Sequence, residues 1–102
     1  QLIEYLYSKV GPHHYDRLDI EFAAAQRGAI IERLVSLHPD EIEGAKLKEI
    51  DTRDGFRFVM QDGSWLLIRF SGTEPIMRIY AESDSPERVK RLLNAGQRMT
   101  GV

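Results

Sequence analysis

Between residues 46 and 82 the chain carries four short apolar-rich runs, at 46–51, 56–61, 64–70 and 76–82, and Asp54-Gly55 and Asp62-Gly63 separate the first three. An Asp-Gly pair between two such runs is the strongest short-range hairpin signal, because the tight hairpin turn needs positive φ at its centre. The stretch therefore predicts an antiparallel meander. Phe56, Phe58 and Met60 alternate with Arg57 and Gln61, the pattern of a sheet covered on one face and wetter on the other. The run at 64–70 is apolar on both sides, with Trp65 and Leu67 opposite Leu66 and Ile68, and is expected at the centre of the sheet.

The flanks supply one more strand and two helices. Tyr15, Leu18, Ile20 and Phe22 make 13–22 a strand. Ile30, Ile31, Leu34 and Val35 form the apolar stripe of a helix over 23–37, with Arg27, Glu32 and Arg33 on its wet side and His38-Pro39 at its end. Gly28 weakens that helix by ~1 kcal/mol relative to alanine, tolerable if the helix packs closely on a sheet. Residues 39–44 read as a polar connection. Further on, Ser85 as N-cap, Pro86 at the first helical position and Glu87 in the first turn open a helix whose buried stripe is Val89, Leu92, Leu93, Gly96 and Met99. The order strand, helix, four strands, helix predicts an α+β fold, an antiparallel sheet with its helices on one face.

Residues 1–12 stand apart. Leu2, Ile3, Leu6 and Val10 recur at helical spacing until Gly11-Pro12 stops them, which predicts a connector helix and hinge ahead of a domain at 13–102. Tyr5 and Tyr7 read as packing residues. Because the chain starts at Gln1 inside this pattern, without an initiator methionine, it is expected to be a piece of a longer protein.

With 102 residues, 42% hydrophobic and 29% charged, the chain has material for one globular domain and a modest core. Fourteen Lys and Arg against sixteen Asp and Glu leave a formal net charge of −2, so there is no basic field of the kind that holds a nucleic-acid backbone, and any anion site must be local. The absence of cysteine removes disulfides and thiolate metal sites and fits a cytoplasmic location. No apolar run reaches membrane-spanning length and no signal peptide opens the chain, so no membrane partner is expected. His13-His14 does not read as a metal site, because adjacent side chains of an extended chain point to opposite sides and no carboxylate stands at ligand spacing beside them. Asp16 and Asp19 read as solvated strand residues.

The stretch from Arg69 to Arg78, Arg-Phe-Ser-Gly-Thr-Glu-Pro-Ile-Met-Arg, reads as an oxyanion cradle between two strands. Arg69 offers a planar fork of donors for two oxygens of a phosphate or carboxylate, and Ser71 and Thr73 add hydroxyls. Gly72 would let backbone N–H groups turn inward to make a concave anion site, while Pro75 stiffens the exit by holding Glu74 extended. Small polar loop residues also have turn-forming reasons of their own, so an ordinary Ser-Gly-Thr hairpin loop beside a surface arginine is the competing reading. The register of Arg78 stays open: directly across from position 69 the two arginines share a sheet face, and a slip of one residue sends them to opposite faces. Trp65 and Tyr80 read as packing residues rather than platforms for a sugar.

Arg-x-Ser-Gly-Thr-Glu-Pro, with Arg78 after two residues, Asp62-Gly63-Ser64-Trp65 upstream and Ile79-Tyr80-Ala81-Glu82 downstream, resembles the C-terminal domain of the α-D-phosphohexomutases, the phosphoglucomutases and phosphomannomutases among them. The match is dense over 51–82. One departure is Phe70, where members often carry proline or a small residue; the difference is expected to touch loop stiffness rather than anion chemistry. The resemblance implies a TATA-binding-protein-like fold, a kinship of architecture that implies no DNA binding.

It also implies a division of labour. In that family the phosphoserine and the carboxylates that hold Mg²⁺ lie in earlier domains, so no cofactor is expected in this segment. The C-terminal domain grips the phosphate that is not reacting while the 1- and 6-phosphates of a hexose are interconverted. Carried over, Arg69, Ser71, Gly72 and Thr73 bind phosphate, Arg78 joins them if the register allows, and Glu74 and Pro75 support the loop. Hexose phosphate and the preceding domains of the same chain are then the partners. Without a Ser-His pair placed for attack or an acidic Mg²⁺ cluster, the segment is not expected to catalyse by itself. A stand-alone module that senses a phosphorylated small molecule, or a structural lid, is the alternative.

Overall fold

The computed structural model describes residues 14–53 and 55–101; the connector expected at 1–12 and His13 lie outside the described residues. Strand β1 (His14–Glu21) runs through a short 3-10 turn (Ala24–Gln26) into helix α1 (Arg27–Ser36). There follow β2 (Glu41–Ile42), β3 (Ala45–Asp51), β4 (Phe56–Met60), β5 (Trp65–Phe70), β6 (Ile76–Ser83) and helix α2 (Pro86–Thr100). The six strands form one antiparallel sheet in the order β1-β6-β5-β4-β3-β2. β3 to β6 are the expected meander, and β5 sits in the interior of the sheet as its two-sided apolar pattern requires. β1, first of the described strands, closes the far edge against β6.

Two elements differ from the sequence expectation. The polar connection at 39–44 holds the two-residue strand β2, turned onto β3 by Glu43 at φ 50 and Gly44 at φ 83; a two-residue strand has too few positions to show alternation. Helix α1 begins four residues later than expected, because Ala23 and Gln26 close a tighter turn first: Gln26 N–H donates to the Ala23 carbonyl at 2.8 Å and Ala23 N–H donates to Gln26 Oε1 at 3.0 Å. Its buried stripe is also narrower. Ile30 and Leu34 are buried, whereas Ile31 is half-buried and Val35 is 58% exposed.

Helix α2 follows its sequence signals closely. Ser85 Oγ accepts from the Arg88 N–H at 3.1 Å, Pro86 opens the first turn, and Gly101 at φ 80 ends the helix. Val89, Leu92, Leu93 and Gly96 face the sheet. A Cβ at Gly96 would lie 2.9 Å from Ile79 Cγ2 and 3.2 Å from Leu66 Cδ1, so glycine sets how near the helix can come. The covered face carries Phe58, Met60, Leu66, Ile68, Met77, Ile79 and Ala81, all buried in one apolar cluster with Ile30 and Leu34 of α1. Gly28 has no such role: a Cβ there would meet nothing within 4 Å. Gly28→Ala is therefore expected to stabilise the fold by about 0.5 kcal/mol, read as a small rise in the urea midpoint at unchanged slope.

The opposite face carries no helix among the described residues. Successive residues of a strand alternate between faces, so β5 presents Trp65, Leu67 and Arg69 here while β6 presents Arg78, Tyr80 and Glu82. The register aligns them in rows across three strands: Asp19, Arg78 and Arg69; Arg17, Tyr80 and Leu67; Tyr15, Glu82 and Trp65.

Candidate functional site

The open register question has a definite answer. Arg69 pairs directly with Arg78, so both guanidinium groups rise from one face of the sheet with their Cβ atoms about 5 Å apart. Together with Phe70, Ser71, Gly72 and Tyr80 they line a recess of about 200 Å³ at the β5–β6 end of the sheet. Like charges directly opposite each other on a sheet repel. Asp19, third in the same row, offsets this only in part, its carboxylate lying 3.8 Å from Arg78 Nε and 3.1 Å from Arg17 Nε. Asp19 is therefore not simply a solvated strand residue.

The loop itself is ordered by its own side chains. Ser71 N–H donates to the Ile76 carbonyl at 2.9 Å, and Ser71 Oγ accepts from the N–H groups of Thr73 and Glu74, each at 3.3 Å. These two amides turn in upon the serine hydroxyl, so the run of inward-facing amides expected around an anion reduces to one. Pro75 has no N–H, which leaves Gly72 as the loop amide without an acceptor among the described residues. Both acceptor lone pairs of Ser71 Oγ are used, so its O–H remains as a donor. Gly72 lies outside the left-handed region and a Cβ there would meet nothing within 4 Å; no neighbouring protein atom demands glycine at this position. Thr73 is exposed and does not line the recess.

Sequence reasoning missed three residues that shape this site. Arg27, expected on the wet side of its helix, instead reaches the loop: its Nη2 donates to the Ser71 carbonyl at 2.8 Å and the Glu74 carbonyl at 3.3 Å. It is Glu74's backbone oxygen that engages an arginine here. Phe22 N–H donates to the Pro75 carbonyl at 3.0 Å, and its ring meets Phe70 edge-on at 5.8 Å. Gly55 backs Arg69, for a Cβ there would lie 2.9 Å from Arg69 Cγ. An arginine at the start of an amphipathic helix carries no signal in the sequence that distinguishes a loop contact from solvent.

Beside the recess, and sharing Arg69 and Tyr80 with it, a shallow groove of about 450 Å³ is lined by Tyr15, Arg57, Trp65, Leu67 and Glu82. Its aromatic residues are tied to one another and to charges. Trp65 Nε1 donates to the buried Glu82 carboxylate, the Arg57 guanidinium lies 4.8 Å from the Trp65 ring centre, and Tyr15 stacks on Tyr80 at 6.3 Å. These contacts give Trp65 and Tyr80 packing roles.

The Asp62-Gly63-Ser64 turn braces the other end of the same strands. Asp62 accepts from the Ser64 N–H at 2.9 Å and pairs with Arg88 Nη2 at 3.1 Å. Partial burial opposes ionisation of Asp62, but the Ser64 bonds and the Arg88 charge outweigh it and hold the carboxyl below its ordinary range. Ser64 Oγ and Ser83 Oγ share a buried hydrogen bond of 2.8 Å. Among the described residues no group of three or more His, Cys, Asp or Glu side chains converges to hold a metal ion, and no helix is long and apolar enough to cross a membrane.

Residues 20–95 match the family model of the phosphoglucomutase/phosphomannomutase C-terminal domain. Among curated relatives, a phosphoglucomutase/phosphomannomutase of Thermococcus kodakarensis is 38% identical over 85 residues, which are 83% of this chain and 17% of that protein. A phosphopentomutase of the same organism is 46% identical over 52 residues, 48% of this chain and 12% of the relative. A probable phosphoglucosamine mutase of Methanothermobacter thermautotrophicus is 37% identical over 65 residues, 64% of this chain and 14% of the relative. The chain thus spans less than a fifth of the length of these relatives.

Proposed function

The chain belongs to the phosphoglucomutase/phosphomannomutase C-terminal domain family, and from that premise we propose that its Arg69–Arg78 loop binds the non-reacting phosphate of a hexose phosphate in a cytoplasmic phosphohexomutase. The observation that carries the reading is the pair of arginines held in register on one sheet face around a recess that also contains Ser71 and Gly72. Two guanidinium groups in that relation repel each other, and Asp19 offsets this only in part, so a dianionic phosphate between them relieves the repulsion.

Each donor has a part. Arg69 supplies a fork to two phosphate oxygens, Arg78 closes from the neighbouring strand, Ser71 donates its hydroxyl and Gly72 its amide. Thr73 stands at the rim, and Glu74 and Pro75 hold the loop through their carbonyl groups. Gripping a phosphate remote from the reacting one lets binding energy align the other end of the sugar. Interconversion of 1- and 6-phosphates turns the substrate end for end, so the cradle must accept the anion and ignore which carbon carries it.

The phosphoryl transfer itself, and any Mg²⁺ it uses, falls to domains that precede this one in the same chain; the donor sets described here do not fit a metal. The test is an NMR titration of the domain with glucose 1-phosphate, glucose 6-phosphate and inorganic phosphate. Shifts centred on Arg69 to Thr73 are expected for all three, with similar dissociation constants near the millimolar range for the two sugars, about 4 kcal/mol of binding. Loop amides that stay unmoved at tens of millimolar ligand, in a folded domain, would refute the phosphate assignment and favour a structural lid.

A further inference from the structure

We propose that Arg27 is the positioning residue of the anion site, holding the two peptide groups at either end of the loop so that the Gly72 N–H faces the recess. The inference rests on the phosphate reading above and adds a residue from the other half of the chain. Arg27 approaches from the covered side of the sheet, where its guanidinium lies 5.8 Å from the Phe22 ring centre and 5.5 Å from that of Phe70. The recess opens on the opposite face, between Arg69 and Arg78.

The geometry of the peptide bond does the rest. A trans peptide points its C=O and its N–H in opposite directions. Arg27 Nη2 draws the Ser71 carbonyl toward the covered side at 2.8 Å, which turns the N–H of the same peptide, that of Gly72, toward the open side. Its second bond takes the Glu74 carbonyl at 3.3 Å, and the N atom of that peptide belongs to Pro75, which has no hydrogen to give. The Glu74 carbonyl also accepts from the Ile76 N–H at 2.8 Å, so the decisive bond is the one to Ser71: it draws away a carbonyl oxygen that would repel an anion and releases the one amide that can donate to it. Phe70 has a purpose in this arrangement: its ring is half of the aromatic shelf that carries Arg27 and so holds the loop from behind.

A planar cation whose terminal nitrogen reaches both carbonyl groups and whose face packs on rings is what the position needs. Both bonds leave one nitrogen, which an ammonium can also supply, so what lysine loses is the planar face that lies against the Phe22 and Phe70 rings. In the full chain, Arg27→Ala is expected to weaken binding of glucose 1-phosphate and of inorganic phosphate about tenfold, and Arg27→Lys to recover only part of that. Hydrogen exchange supplies a readout independent of ligand. The Thr73 and Glu74 amides should exchange about tenfold faster in Arg27→Ala, while the amides of Leu66 and Ile68 in β5 keep their protection and so certify the fold. Arg69→Ala serves as the reference variant. If Arg69→Ala loses phosphate while Arg27→Ala binds it as wild type does and exchanges at the same rates, the positioning role is overturned and the anion site stands. If Arg69→Ala binds phosphate unchanged, the anion reading falls and the role of Arg27 with it.

Discussion

On the proposed phosphate reading, Arg69→Ala in the full-length protein is expected to lower kcat/KM for hexose phosphates by about one to two decades, the equivalent of roughly 1.5–3 kcal/mol for a charge-assisted bidentate contact. The position justifies a figure at the upper end. Arg69 lines both the small recess and the neighbouring groove, and it stands in the row with Arg78 and Asp19. Removing it leaves Arg78 beside Asp19, a pairing that competes with substrate once the second arginine is gone. Arg69→Lys should recover part of the loss, because a single ammonium keeps the charge but cannot span two oxygens. Steady-state kinetics decide the matter, and a variant within twofold of wild type would take Arg69 out of the site.

Gly55→Ala is expected to cost about 2–4 kcal/mol of stability and to lower Tm by roughly 10–20 °C. Two effects add. At φ +113 any Cβ strains the backbone, and here the Cβ would also fall 2.6 Å from the Ile68 carbonyl oxygen and 2.9 Å from Arg69 Cγ. The carbonyl belongs to a central strand and cannot withdraw. Gly44 provides the control: it too has positive φ, at +83, but a Cβ there meets open space, so Gly44→Ala should show backbone strain alone, about 1 kcal/mol. Denaturant unfolding of the two variants separates the terms. A Gly55→Ala protein no less stable than Gly44→Ala would mean that the turn yields. The same substitution presses on the Arg69 stem, so it should also weaken anion binding in whatever fraction remains folded.

The sheet was legible in the sequence because hairpin signals and period-two patterns are local. The Gly55 and Gly63 turns, the two-sided apolar run of β5 and the Ser85-Pro86 helix start each declare themselves within a few residues. Strand β2 was not legible because two residues are too few to show alternation, and the late start of α1 was not because one backbone bond and one glutamine side-chain bond leave no distinctive pattern. The site divides in the same way. Arg69, Ser71 and Gly72 lie within four positions and could be read as a cradle, whereas whether Arg78 joined them depended on a register that side-chain pattern alone does not set. Arg27, Asp19 and Gly55 were invisible because their significance arises only when β1, α1 and the β3–β4 turn come to surround the loop. The number of inward amides is not legible for a related reason: nothing in the pattern shows that Ser71 Oγ also accepts from the Thr73 and Glu74 N–H groups.

The closure of β1 against β6 gives the loop a dependence on the order of assembly. The β5–β6 hairpin contains both arginines, Ser71 and Gly72, and joins neighbours in sequence, so it can form from local contacts. Phe22 and Arg27 come from the far end of the chain, and their contacts with residues 71–75 accompany the pairing of β1 along β6. A partly folded chain with its edge strand detached would hold the arginines yet leave the Ser71 carbonyl without Arg27, while the Glu74 carbonyl keeps its bond from the Ile76 N–H. On the proposed phosphate reading, competence to bind comes with the docking of β1. Edge strands open more readily than central ones, so ligand held in the recess would oppose the peeling of β1 from the opposite end of the chain and act as a latch on the finished fold.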